Sequence, residues 1–142
     1  MSGRLGVDAV PSPSDIVDAL ADTTTPQRIM LLTAVVSLVA FVSKRVKQRL
    51  VLRPPLVTKG QLYRLLTAGL IHADFGHLAT NMLMLWFFSR RVLSAFGDLL
   101  YATLYVTAIV AAYLLSTLRF RRDPEYSSLG ASGAVAAVML SA

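Results

Sequence analysis

The sequence predicts an all-α fold, a polytopic helical bundle in a membrane. Three observations lead there. Charge is gathered into short basic knots between long uncharged apolar runs, the pattern of a multi-span membrane chain. Hydrophobic residues fill 55% of the 142 positions and charged residues only 15%, with mean hydropathy +0.60, unlike a soluble domain of that size. The closing stretch, 127–142, is built largely from Gly, Ala and Ser, which let transmembrane backbones approach closely.

Residues 1–26 read as a mobile polar tail. Asp8, Asp15, Asp18 and Asp22, together with Pro11, Pro13 and Pro26, do not fit a basic, acid-poor signal or transit peptide. A short helix over 15–20 is compatible with this stretch. The first apolar run, Ile29 to Ser43, is short against the roughly 20 residues of a span. Extending it to a span near 24–43 requires Arg28 to snorkel, and an interfacial helix is the competing reading. Lys44, Arg45, Lys47, Arg49 and Arg53 follow, and Pro54-Pro55 breaks helical continuation.

Residues 56–74 read as a re-entrant or interfacial connection, with Tyr63 and Arg64 at headgroup level. Asp74 is placed to cap the next helix, a span near 75–89 that Arg90-Arg91 is expected to end. The next span, near 99–118, is uncharged and carries Tyr101, Tyr105 and Tyr113, which include interface candidates. Arg119, Arg121 and Arg122 follow it, and Asp123-Pro124-Glu125 makes a turn. The fourth span, near 127–142, is expected to start at about Ser127. Residues 27–142 thus form one membrane domain with four membrane helices.

The net charge of +6 would suggest nucleic acid in a soluble protein. Here the basic residues flank apolar spans, so membrane lipids account for them and no nucleic acid is implied. The absence of cysteine excludes a disulfide framework, a thiolate nucleophile and cysteine-ligated zinc. His72 and His77 with only Asp74 nearby make a poor zinc set, so no metal and no cofactor are expected.

The chemistry rests on polar groups inside apolar helices, where they are costly. His77 and Asn81 lie four apart on one helix face, in H-A-D-F-G-H-L-A-T-N-M-L-M-L-W, with His72 just before the cap. Gly130-Ala131-Ser132-Gly133-Ala134 opens the fourth span. Two chain reversals separate the second and fourth spans, so these groups fall at one membrane depth. A serine hydroxyl needs a base to become a nucleophile, and the oxyanion it creates needs aimed donors. Asn81, His77 and the Ser132 backbone N–H offer them. Taken singly, the small-residue cluster reads equally as helix packing and the His–Asn pair as interhelical glue. The serine is not an α/β-hydrolase elbow, since position 134 is alanine and no strand precedes.

Together, H-x-x-x-x-H-x-x-x-N-M from His72 to Met82 and G-A-S-G-A from Gly130 to Ala134 resemble the rhomboid family of intramembrane serine proteases. Tyr63-Arg64 resembles the aromatic-Arg pair of that family's first loop. The resemblance covers roughly residues 29–142, the first four of six core helices. It implies a serine endopeptidase that cuts transmembrane substrates. Ser132 would be the nucleophile, His77 and Asn81 the oxyanion donors, His72 auxiliary to them, and Gly130 the residue that opens the site. The family's catalytic histidine belongs to a sixth helix with no counterpart here, and Ser89 and Leu93 stand where the family often has glycine and glutamate.

These 142 residues alone are therefore expected to be inactive, whether as a fragment, half of a split protein or a pseudoprotease. The alternative implied is a catalytically inactive rhomboid-like scaffold or structural subunit of a membrane complex. Partners would then be membrane subunits rather than transmembrane helix substrates. The cations at 44–64 and 119–122 place the serine-bearing end toward the cytosol or a matrix. Bacterial rhomboids usually present it outward. The chain is thus expected to be an organellar or reoriented multi-pass member, or one whose first segment does not cross.

Overall fold

The computed structural model describes residues 12–14 and 23–142. The helix expected over 15–20 and most of the expected tail lie outside the described residues. Those described are helical, with no strand among them and one isolated antiparallel bridge, Leu52 to Ser128.

Helix α1, Thr25–Val42, starts where Gln27 Oε1 accepts from the Thr24 amide at 2.8 Å, with Pro26 in its first turn, where a missing N–H costs nothing. A short helix α2, Lys44–Leu50, carries the basic knot. It ends at Leu50, where Val51 turns extended and Leu52 pairs with Ser128, before Pro54-Pro55 is reached; the two prolines instead open the single turn α3, Pro54–Val57. Helix α4, Arg64–Thr67, runs into a 3-10 turn, Ala68–Leu70.

Arg64, expected at headgroup level, is held by protein rather than by solvent. It is only 5% exposed, and its guanidinium is spent on protein. Nη1 donates to Val51 O at 2.6 Å and Gln48 O at 3.0 Å, and Nε to Gln61 Oε1 at 2.7 Å. A buried cation is tolerated only when its donors are matched in this way. Arg64 therefore staples the connection between the first two long helices.

Helix α5, Phe75–Phe120, is 46 residues long. Straight, it would reach roughly 69 Å at about 1.5 Å per residue, more than twice a hydrocarbon core of about 30 Å. It is not straight, because Gly97 sits at φ 75°, ψ 174°. Ser89 Oγ and Tyr101 Oη are 2.7 Å apart, although twelve residues along a straight helix would separate them by roughly 18 Å. The two arms therefore fold back on each other. Arg90 and Arg91 do not end the first arm, as the sequence suggested, because lone cations on an exposed face break no backbone bond. Gly97 ends it by leaving helical geometry.

The tyrosines of this arm are buried against protein. Tyr101, Tyr105, Ile109, Tyr113 and Thr117 form one inward stripe of the second arm, at the four-residue spacing that keeps side chains on one face. The last helix, α6, Ser132–Leu140, begins five residues later than expected. Residues before it are held extended by the bridge to Leu52, and Gly130 at φ +113° is outside helical space. By length and composition, α1 and α5 are the helices apolar enough to cross a membrane. Helix α6 packs tightly on the second arm of α5: a Cβ on Gly133 would lie 2.7 Å from Ala112 Cβ.

Gly97 tests this architecture cleanly, because nothing lies within 4 Å of where its Cβ would sit. Gly97→Ala should lower stability by about 1–3 kcal/mol, from backbone strain alone, since φ 75° with ψ 174° is a region that only glycine enters readily. The check is the thermal midpoint in detergent.

Candidate functional site

The site is assembled at the turn that leads into α6. Three elements grip its backbone. The Gly130 amide donates to Ala68 O at 2.9 Å. Tyr113 Oη donates to Gly130 O at 2.7 Å and lies 3.2 Å from Ala68 O. The Ala131 amide donates to His72 Nε2 at 3.3 Å. Gly130 is required for two reasons. Its φ of +113° disfavours any side chain, and a Cβ there would lie 2.6 Å from His77 Cε1 and 3.0 Å from Nε2. The His77 ring thus lies directly against Gly130.

His72 is fully buried. Its Nδ1 is 3.0 Å from Ser37 Oγ on α1, and its ring meets that of His77 edge-on, with centroids 4.9 Å apart at 76°. Burial, with the neighbouring His77 adding to it and Asp74 opposing, pushes its pKa from 6.5 down to about 4. The ring is neutral in the fold. Asp74 caps α5 as expected, its Oδ1 accepting from the His77 amide at 2.8 Å.

Ser132 is the first residue of α6 and is exposed. Among the described residues its hydroxyl makes no hydrogen bond. It lines a cleft of about 140 Å³ together with Tyr113, Ser116, Ser128 and Gly130, room for a few waters at roughly 30 Å³ each. The first intrahelical bond of α6 runs from the Val135 amide to Ala131 O. The amides of Ser132, Gly133 and Ala134 therefore have no intrahelical acceptor, as at any helix start. They make a small field of N–H donors at the cleft.

The structure brings His72, His77, Gly130 and the Ser132 turn together. Asn81 is buried on the same α5 face as His77, but its Nδ2 donates to the His77 carbonyl at 2.8 Å, within its own helix. No hydrogen bond links Asn81 or His77 to Ser132. Sequence reasoning missed Ala68, Tyr113 and Ser37. For Tyr113 the signal was available in the spacing 101, 105, 109, 113, 117. For Ser37 it was the pair Thr33 and Ser37, two hydroxyls one turn apart in an apolar helix. Ala68 acts through its carbonyl, which no residue type advertises.

A family model described as the rhomboid domain matches residues 59–142. The chain is similar to RHOMBOID-like protein 12, mitochondrial, of Arabidopsis thaliana, at 35% identity over 96 residues, covering 57% of this chain and 29% of that protein. It is similar to the rhomboid protease GluP of Bacillus subtilis at 33% over 84 residues, covering 56% of this chain and 15% of GluP. RHOMBOID-like protein 5 of Arabidopsis thaliana is 35% identical over 80 residues, 56% of this chain and 26% of that protein. The chain spans less than a third of the length of the curated relatives it matches.

Two outcomes follow from this geometry. Gly130→Ala should cost more than Gly97→Ala, about 3 kcal/mol or more, since strain and the clash with His77 add; the pair of thermal midpoints checks it. His72 binds its proton more weakly folded than unfolded, so its contribution is complete above about pH 6.5 and lost as pH falls toward 4. The loss is on the order of 3 kcal/mol. A melting series from pH 7 to 4 should show that slope, flattened in His72→Gln.

Proposed function

This chain belongs to the rhomboid family, and on that premise we propose that it carries the nucleophile and oxyanion-binding parts of an intramembrane serine endopeptidase. Members of the family are membrane proteins that act on transmembrane substrates. The observation that carries the reading is Ser132: exposed, on a clamped backbone turn, in a small cleft, beside three unpaired helix-start amides.

In the proposed reaction, Ser132 Oγ attacks a substrate carbonyl carbon while a base takes its proton. The oxyanion is met by the Ser132 amide and by the His77 ring N–H, once substrate draws that ring toward the cleft. Asn81 acts through His77, whose carbonyl it holds in register. The base then returns its proton to the leaving amine, and water hydrolyses the acyl-enzyme. Preformed donors in a water-poor site are usually the largest single contribution to such a rate.

The base lies outside these 142 residues. His72 Nε2 is occupied by the Ala131 amide, and His77 packs on Gly130 rather than on the Ser132 hydroxyl. We place four helices in the membrane, α1, the two arms of α5, and α6 with its flanks. An organellar membrane is the setting favoured by the basic loops and by the mitochondrial relative.

A second reading, a non-catalytic rhomboid-like subunit that holds transmembrane helices, is favoured by one observation: neither histidine of the chain is free to serve Ser132. Fluorophosphonate labelling of the protein expressed from its complete coding region separates the two. The protease reading expects a labelled band that disappears in Ser132→Ala and persists, weakened about tenfold or more, in His77→Ala. No label in any variant supports the scaffold.

A further inference from the structure

We propose that Ser37, on the first long helix, is a positioning residue for the Ser132 site, setting the tautomer of His72 and through it the seat of the nucleophile turn. The hydrogen bonds admit one arrangement. A carbonyl oxygen only accepts, so the Ser37 hydroxyl, 3.0 Å from Leu70 O, gives its single hydrogen there. Its lone pairs then face His72 Nδ1 at 3.0 Å, and that nitrogen must carry the hydrogen. At the far side of the ring a backbone amide only donates. The Ala131 N–H, 3.3 Å from His72 Nε2, requires a bare ring nitrogen. Both ends of the ring independently demand hydrogen on Nδ1 and none on Nε2.

The relay therefore runs in one direction: Ala131 N–H to His72 Nε2, His72 Nδ1–H to Ser37 Oγ, Ser37 Oγ–H to Leu70 O. Ser37, His72 and Ala131 are all fully buried, so water offers no substitute at any step. Ser37 touches neither the cleft nor Ser132. Without its hydroxyl nothing opposes the other tautomer, in which an Nε2–H would confront the Ala131 N–H, donor against donor. The turn would then have to swing Ala131 away and carry Ser132 with it. The functional consequence rests on reading Ser132 as the nucleophile; the relay itself does not.

The test is nitrogen-15 NMR of the chain, histidine-labelled, in lipid nanodiscs at neutral pH, with amide exchange read at Ala131. The two histidines are assigned by His77→Gln. The His72 ring should show a protonated Nδ1 and a bare Nε2. Ser37→Ala should mix the tautomers and speed Ala131 exchange about tenfold or more, whereas Ser37→Thr, which keeps the hydroxyl, should retain both signatures. A wild-type ring protonated on Nε2 overturns the proposal even if Ser37→Ala does not fold, as does a folded Ser37→Ala with unchanged tautomer and exchange. Fluorophosphonate labelling reports separately: the relay intact with Ser132 unreactive in the complete gene product refutes the protease reading alone.

Discussion

The backbone clamp on Gly130 and Ala131 is the constraint on which the rest depends. Four groups converge on these two residues: the Ala68 carbonyl, the Tyr113 hydroxyl, His72 Nε2 and the face of the His77 ring. They come from the connection, from both arms of α5 and from the short segment that precedes it. Each bond alone contributes about 1 kcal/mol net. Breaking one, however, strands a buried polar group at a cost of about 1–3 kcal/mol, so the cluster behaves as a unit. Its product is a helix start whose first amides are held open beside an exposed serine.

Close approach makes the clamp possible. Between helices in lipid there is little hydrophobic drive, so contact depends on packing and hydrogen bonds. Small residues sit where backbones must meet. A Cβ on Gly69 would lie 2.7 Å from Ile109 Cδ1, and one on Gly133 the same distance from Ala112 Cβ. Gly69 lets the 3-10 turn that offers the Ala68 carbonyl press on the second arm of α5. Gly133 lets α6 do the same. The fold-back at Gly97 brings that arm into place, with Ser89 and Tyr101 tying the arms together. Apolar side chains such as Leu31, Leu115 and Phe87 are left exposed on the outside, as residues suited to acyl chains would be.

Much of this was legible in the sequence. Uncharged runs between basic knots marked where the long helices lie, because burying charge in lipid is so costly, although the first arm of α5 runs past its expected end at 89 to Gly97. Asp74 announced its cap, and counting two chain reversals between the second and fourth spans led to the expectation that His77 and Ser132 lie at one end of the bundle. What escaped was conformation that no side chain encodes. Arg90-Arg91 looked like a helix end, but charge on an exposed face leaves backbone bonds intact, and the real end was a glycine at positive φ. Ser127 looked like a helix start, but Ser128 is spent on Leu52. The burial of Arg64 went unseen because two of its acceptors are carbonyls of Gln48 and Val51, invisible as residue types. Asn81 carried the right chemistry, yet its donor is turned onto its own helix, a competition always open to a short polar side chain.

The arrangement divides labour between a rigid floor and an open face. The floor fixes where Ser132 stands and which amides point at the cleft. The face of Ser132 remains uncovered. The contact on which floor and face both turn is the His77 ring seated on Gly130. Carbon–nitrogen dipolar recoupling in a bilayer measures it directly, with glycine Cα carbons and histidine ring nitrogens labelled. One of the eight glycines should dephase strongly, and that dephasing should weaken in His77→Gln to the part that His72 Nε2, beside the Ala131 amide, still drives. Full recovery of every glycine signal in the unsubstituted protein would mean that the ring and the turn do not meet.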